Sequence, residues 1–101
     1  MLVTNIKLIE HIVPKGSCGT GYSESDKFIV EFDDDTHGVL WVDIWYRQIN
    51  QIQGLFEKSF KETFPNKLPY IENLYDTFKM YVKEISNKSC PYSEEEILNS
   101  Y

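Results

Sequence analysis

The sequence KFIVEFDDDTHGVLWVDIWYR, residues 27–47, predicts a β-hairpin and decides the fold. Its two arms, residues 28–32 and 39–46, are rich in β-branched and aromatic residues, which favour strands. The segment between them carries three aspartates and a glycine, residues that favour turns. We expect Asp35 to open a type I turn that Gly38 closes, because glycine adopts a positive φ without strain.

Side chains alternate along both arms, and this alternation divides the hairpin into two faces. The apolar face is expected to join the core and carries Phe28, Val30, Phe32, Leu40, Val42, Ile44 and Tyr46. The opposite face, called the mixed face below, combines acidic and aromatic side chains: Ile29, Glu31, Asp33, Trp41, Asp43, Trp45 and Arg47. Either another element of the fold covers the mixed face, or this face binds a partner. The sequence leaves both interpretations open.

Upstream of the hairpin, residues 6–13 predict a third strand that ends before Pro14. A helical stripe is the alternative for this segment, formed by Leu2, Ile6, Ile9 and Val13. We favour the strand because the segment is rich in β-branched residues, and because an isolated hairpin is rarely stable without a third strand or a packed helix. Residues 14–26, which contain three glycines, predict the loop that connects this strand to the hairpin.

Downstream of the hairpin, the apolar spacing changes to that of a helix. Apolar residues between Ile49 and Phe64 predict a first helix, which Pro65 ends. Asn50 and Gln53 resemble a capping box at the start of this helix, although serine or threonine is more usual in the first position.

The second predicted helix has the clearest periodicity in the chain. Its apolar stripe consists of Ile71, Leu74, Tyr75, Phe78, Tyr81, Val82 and Ile85. Pro69 suits the first turn of this helix, and Phe78, at the centre of the stripe, is expected in the core. Ser93 and Glu96 resemble a capping box that opens a short terminal helix.

These elements predict one α+β domain over residues 1–101. A small antiparallel sheet of about three strands, with the hairpin 27–47 at its centre, is expected to be packed on one face by the two C-terminal helices. The length of 101 residues is that of one domain, and a content of 42% hydrophobic residues is typical of a folded chain.

The net charge of −6 argues against direct binding of nucleic acid, which depends on lysine and arginine. This charge favours a basic partner or simple solubility. The N-terminal residues lack the pattern of a signal peptide, and no stretch reaches the length of a membrane span. We therefore expect a cytoplasmic protein without membrane contact, in which Cys18 and Cys90 are reduced thiols. The absence of alanine and the single arginine, Arg47, are typical of an AT-rich coding sequence and suggest a low-GC bacterium or one of its phages.

No catalytic, metal-binding or cofactor-binding signature is recognisable in the sequence. Residues 33–44 begin like a calcium-binding EF-hand loop, but the twelfth position is Ile44, where a bidentate glutamate is required. Cys18 could act as a nucleophile with His11 or His37 as its base, yet little positive charge surrounds it to stabilise a thiolate. We expect no catalytic residues, no metal and no cofactor.

The mixed face is the most informative surface in the sequence. Trp41 and Trp45 are two residues apart and project from the same side of a strand, and tryptophan is enriched at binding hot spots. Carboxylates on the same surface would speed the encounter with a basic partner. The residues expected to bind a partner are Glu31, Asp33, Asp34, Asp35, Trp41, Asp43 and Trp45.

These features predict a small acidic protein-binding module rather than an enzyme. The sharpest hypothesis is an inhibitor, such as an immunity protein or a phage anti-defence factor, that neutralises a basic partner. A nucleic-acid enzyme such as a nuclease would suit this role, because carboxylates can occupy a basic site that expects phosphates. Two alternatives remain open: a structural or assembly protein that forms homo-oligomers through the same face, and a small thiol enzyme that uses Cys18.

Overall fold

The structure, a computed structural model, describes residues 1–12, 23–45, 49–87 and 92–100. Within these ranges, the description does not extend to the side chains of Ser23, Glu24, Ile44 and Trp45. The predictions for the glycine-rich loop up to residue 22, and for Cys18, Cys90, Tyr46 and Arg47, lie outside the described residues.

Three strands form one antiparallel sheet in the order β1-β2-β3, which confirms the predicted architecture. The strands are β1 (Val3–Ile12), β2 (Ser23–Phe32) and β3 (His37–Trp45). The helical alternative for the N-terminal segment is therefore wrong. Each strand pairs with its neighbour in sequence, so β2 is the central strand and β1 and β3 are the two edges.

The strand β2 begins at Ser23, so the prediction of a loop up to Asp26 is wrong for the last residues of that range. The first residues of β2 are polar, so the apolar alternation that predicts a strand is absent there. Ser25 pairs with Asp43 in the register of the hairpin, and the Ser25 hydroxyl donates a hydrogen bond of 2.6 Å to Asp43 Oδ1. Asp26 is fully buried, a position where the hydrophobic pattern predicts an apolar residue.

The turn of the hairpin also differs from the prediction. The N–H of Asp35 donates to the carbonyl of Phe32 at 3.3 Å, and the N–H of Phe32 donates to the carbonyl of Thr36 at 2.9 Å. Asp35 has a φ of 65°, so it closes the turn in the left-handed position and does not open it. Aspartate tolerates this conformation better than most side chains do, because it is short and polar. The loop enclosed by the bond between Phe32 and Thr36 consists of residues 33–35. Three-residue loops of this kind commonly join two antiparallel strands.

Gly38 does not close the turn, because it lies within β3 opposite Val30. Its role is to leave room for an aromatic ring. A Cβ atom built on Gly38 would lie 2.4 Å from Cε1 of Phe64, which is closer than two non-bonded carbon atoms can approach. The Phe64 ring is itself held between Phe32 and Phe60, with centroid distances of 5.3 Å and 5.2 Å.

Helices follow the sheet, as predicted. They are α1 (Ile52–Thr63), α2 (Leu74–Ser86) and α3 (Glu94–Asn99), with a 3-10 turn before α1 and a 3-10 segment, Pro65–Asn73, between α1 and α2. Against the sheet, α1 packs mainly on β3 and α2 on β1, while α3 packs on α2. None of the described helices combines the length and the apolar character needed to cross a bilayer.

The helix boundaries show that two predictions about helix starts are wrong and that a third is correct. Asn50 does not cap α1, because the cap position is Gln51 and no side chain bonds there. Pro69 lies in the 3-10 segment and not in the first turn of α2, since the chain around it departs from α-helical geometry. The predicted capping box before α3 is present: the N–H of Glu96 donates to Ser93 Oγ at 3.1 Å.

The core lies between the apolar face of the hairpin and the two main helices. Its buried residues are Val3, Ile6, Phe28, Val30, Phe32, Leu40, Val42, Ile52, Phe56, Phe60, Tyr70, Phe78, Tyr81, Val82, Ile85 and Ile97. The predicted apolar face is thereby confirmed wherever its side chains are described. Phe78 is 1% exposed, as expected, whereas Tyr75 is 45% exposed and does not belong to the core. The predicted apolar stripe is wrong at Tyr75, because this residue lies in the first turn of α2, before the part of the helix that is buried.

Candidate functional site

The mixed face is open to solvent on the side of the sheet away from the helices. Trp41 is 45% exposed, so neither a helix nor β1 covers it. Glu31 and Asp43, which alternate onto the same side, are exposed as well. The side chain of Trp45 lies outside the description. For Trp41, the interpretation that another element of the fold buries the indole is wrong.

Strand β1 adds charges of both signs to this face. Lys7 pairs with Ile29 in the register of the sheet, and Glu10 pairs with Lys27. The exposed surface therefore contains both signs of charge around an apolar centre, and is less uniformly acidic than the sequence predicts. Lys7 alternates with the core-facing Ile6 and Leu8, but its neighbour on β2 depends on the register between the two strands, which the sequence does not show.

The Trp41 indole has a fixed neighbour in the adjacent strand. Lys27 pairs directly with Trp41 across the hairpin, and its Nζ lies 5.1 Å from the centroid of the ring. A cation at this distance over an indole is attracted by the electron-rich face of the ring. Val39 on β3, which pairs with Ile29, is 39% exposed. The centre of the face is therefore an apolar patch with an oriented aromatic ring.

Asp33, one of the predicted binding residues, ties the hairpin turn to the N-terminus. Its Oδ2 accepts the backbone N–H of Leu2 at 2.8 Å, and the α-amino group of Met1 lies 3.6 Å from the same oxygen. The N–H of Asp33 in turn donates to the carbonyl of Leu2 at 2.9 Å. The hydrogen bond from Leu2 holds the pKa of Asp33 below its usual range. Asp33 thus has a structural role at the end of β1.

Asp34 is also engaged within the molecule. Its Oδ2 forms an ion pair with Lys67, and its Oδ1 accepts the hydroxyl of Thr36 and the N–H of Thr36, the latter at 3.1 Å. These bonds hold the pKa of Asp34 well below its usual range, and the bond from Lys67 has the largest effect.

Lys67 also lies over the rings of Phe32 and Tyr70, at 5.0 Å and 5.2 Å from their centroids. Burial, with Asp33 nearby, raises the pKa of Tyr70 to about 12.

The Asp34 contacts predict a specific loss of stability in acid. Because the folded state lowers the pKa of Asp34, the ionised carboxylate stabilises the fold above about pH 4, and this contribution is lost as the pH falls further. Asp34→Asn should therefore lower the melting temperature at neutral pH and show a smaller decrease in melting temperature between neutral and acidic pH than the parent. Asp35→Asn, one residue along and without the Lys67 contact, is the matched control and should retain the parental pH dependence. An Asp34→Asn variant that melts like the parent at every pH would contradict this role.

Two of the predicted acids remain available at the turn end of the mixed face. Glu31 and Asp35 are exposed, and their carboxylates make no hydrogen bond or ion pair with another described residue. Together with His37 they line an open depression of about 230 Å³. No group of three or more histidine, cysteine, aspartate or glutamate side chains within the described residues is arranged to hold a metal ion.

An acid–histidine pair lies on the core side of the sheet; the sequence indicated His11 as a candidate base but did not identify the acid that contacts it. Asp26 on β2 is fully buried, and its Oδ1 is hydrogen-bonded to Nδ1 of His11 on β1. The pairing of these two strands brings the residues together, since His11 lies opposite Asp26 in the register. A base oriented by an acid is one part of the thiol-enzyme hypothesis, and its nucleophile, Cys18, lies outside the described residues.

Comparison of the chain with protein-family models, with curated proteins and with solved structures finds no significant match. The residues of the mixed face and their contacts are therefore the basis for a functional proposal.

Proposed function

We propose that the protein is an acidic protein-binding module that attaches to a basic partner through the mixed face. The main support for this proposal is the exposure of Trp41: its indole is 45% exposed on the side of the sheet that the helices leave open. A large aromatic residue in an exposed apolar patch is typical of a protein–protein contact, where tryptophan supplies a large share of the binding energy.

The surroundings of Trp41 support the same proposal. The cation of Lys27 over the ring limits the motion of the indole before any partner arrives, so less side-chain entropy is lost on binding. Val39 extends the apolar centre, and charged residues surround it. An apolar centre with a polar rim is the usual arrangement of a specific interface.

Charge favours a basic partner. The net charge is −6, and the carboxylates of Glu31 and Asp35 are not neutralised by another described side chain. Exposed carboxylates of this kind raise the rate of encounter with a positively charged surface. We infer in more detail that the protein is an inhibitor, an immunity protein or a phage anti-defence factor, and that the partner is a nucleic-acid enzyme whose phosphate-binding site these acids can approach.

The test compares Trp41→Ala with Tyr75→Ala as baits for affinity capture from the native host. Tyr75 is a matched control, because it is equally exposed and also has a lysine, Lys79, 5.2 Å from its ring centroid, but it lies on α2. A partner of the mixed face should be retained by the parent and by Tyr75→Ala, and lost by Trp41→Ala. With that partner purified, Trp41→Ala should speed dissociation about 30-fold, corresponding to about 2 kcal/mol.

Charge is tested on the same partner. Neutralising Glu31 and Asp35 together, as Glu31→Gln with Asp35→Asn, should slow association and flatten its dependence on salt, because exposed charges mainly steer encounter. The control is Glu62→Gln with Glu95→Gln, which removes the same charge from the helical layer. Asp33 and Asp34 are left intact, since their loss would also weaken the fold. If the Trp41 and acid variants bind as the parent does, the contact surface lies elsewhere and the acidity serves solubility.

A further inference from the structure

The β1 edge of the sheet is protected against pairing with another chain. Glu84 of α2 reaches this strand, and its carboxylate accepts the backbone N–H of Leu8 at 3.4 Å. The pairing of β1 with β2 also shifts register between Val3 and Asn5 and again between Leu8 and Glu10. Irregular pairing and a charged side chain at an edge are two ways in which proteins discourage edge-to-edge association.

Within the described part of the chain, no side chain from another element bonds to the backbone of the β3 edge, although Asp43 places one charge on this strand. Its pairing with β2 runs without a shift from the Glu31–His37 pair to the Ser23–Trp45 pair. The strand is nine residues long and contains neither proline nor lysine. No described strand lies on its other side. A long and regular edge of this kind is a template for a further strand.

The hairpin fixes which backbone groups of β3 point to this open side. The N–H of Phe32 donates to the carbonyl of Thr36, so every second residue after Thr36 directs its backbone groups toward β2. The intervening residues direct theirs away from β2, and these are His37, Val39, Trp41 and Asp43. Val39 and Trp41 also have exposed side chains, and no described residue bonds to the outward backbone groups of this row.

We propose that two copies of the protein form a homodimer in which β3 pairs antiparallel with β3 of the second copy. The two-fold axis passes midway between the two Leu40 residues, which face each other. This register places Val39 opposite Trp41 of the second copy. It also places His37 opposite Asp43 of the second copy, and only one oxygen of Asp43 is used by Ser25. Pairs of an aromatic with a β-branched residue stabilise antiparallel strands, and an imidazole opposite a carboxylate can donate a hydrogen bond to it.

The occupant is a second copy because β3 is complementary to itself about Leu40. An aliphatic and an aromatic residue stand one position to either side of Leu40, and an imidazole and a carboxylate stand three positions to either side. The two sheets become one continuous sheet with both helical layers on the same side, since a two-fold axis perpendicular to a sheet preserves its faces. The mixed faces then lie side by side and stay accessible, so this dimer does not depend on the partner proposed above.

Sedimentation velocity of the full chain over a wide range of concentration tests the dimer. The parent should sediment with twice the mass of one chain. His37→Asp should weaken dimerisation at least about tenfold, because it places two carboxylates opposite one another. Asp43→Lys should weaken it as well, because it removes the carboxylate that the imidazole of His37 faces. The two changes combined should restore it, because they exchange the two partners. Glu62→Lys, with the same charge change as Asp43→Lys but on α1, is the control and should dimerise like the parent.

Hydrogen exchange provides a second readout that needs no variant. The amides of Val39 and Trp41 should become protected as the protein concentration rises, whereas those of Leu40 and Val42, which face β2, should be protected throughout. A chain that remains monomeric at every concentration overturns the proposal, as does a dimer in which the Val39 and Trp41 amides stay unprotected. Failure of the combined variant to restore dimerisation overturns the register. These readouts contain no partner protein, so their failure leaves the proposed function untouched.

Discussion

Phe78→Ala should cost about 3–5 kcal/mol of the free energy of unfolding, the largest single loss expected in this protein. Phe78 is 1% exposed, and its ring lies 5.9 Å from that of Phe56 and 6.1 Å from that of Tyr81. Truncation removes the transfer energy of the ring and leaves a cavity that its rigid aromatic neighbours cannot fill. A domain has about 5–15 kcal/mol of stability in total, so the variant would be close to unfolding at 37 °C.

Urea unfolding followed by circular dichroism measures this loss. Tyr75→Ala is the matched control, because it removes an aromatic ring of similar size from the same helix at an exposed position. Its effect should stay within about 1 kcal/mol. If Phe78→Ala and Tyr75→Ala have equal effects, α2 does not present Phe78 to the core.

Gly38→Val should cost about 3 kcal/mol, at the upper end of the range for overpacked sites. The added Cβ would lie 2.4 Å from Cε1 of Phe64, and the ring cannot retreat easily because Phe32 and Phe60 contact it on either side. Strand propensity acts in the opposite direction, since valine favours strands and glycine does not. The loss therefore measures steric conflict and not backbone preference.

Two further variants isolate that conflict. Gly54→Val changes the other described glycine, which lies in α1 where an added Cβ would contact nothing, and it should be neutral or slightly stabilising. Phe64→Ala destabilises the protein by itself, but in its presence Gly38→Val should lose most of its cost, which a double-mutant cycle would show as a coupling energy. Equal costs with and without the Phe64 ring would mean that the conflict lies elsewhere.

The sequence predicted those parts of the fold that depend on periodicity. Alternation across the hairpin correctly identified Phe28, Val30 and Leu40 as core residues, because each strand buries one of its faces. Helical spacing similarly identified Phe56 and Phe78. Periodicity works here because these side chains are apolar and lie in the interior of their elements.

Residues whose environment depends on distant parts of the chain could not be predicted in this way. Asp26 is buried because His11 of another strand bonds to it, and nothing near Asp26 in sequence indicates this. The role of Asp34 depends on Lys67, which lies beyond α1. For the candidate site, the sequence correctly located Trp41 on the mixed face, but it did not identify Lys7, because the pairing of β1 with β2 sets which residues of β1 adjoin this face of the hairpin.

The aromatic contacts between the sheet and the helices have a consequence for the order in which the protein can fold during synthesis. Phe28 packs against Tyr81 at 4.8 Å, and Phe32 packs against Tyr70 at 4.8 Å, so residues of the hairpin are covered by residues made much later. Until these later residues leave the ribosome, the apolar face of the young sheet is covered only in part, by α1 on β3, while the mixed face is open to water. The nascent chain therefore passes through a stage in which apolar surface of the incomplete sheet is exposed, and such surface promotes association with neighbouring nascent chains until α2 has been made.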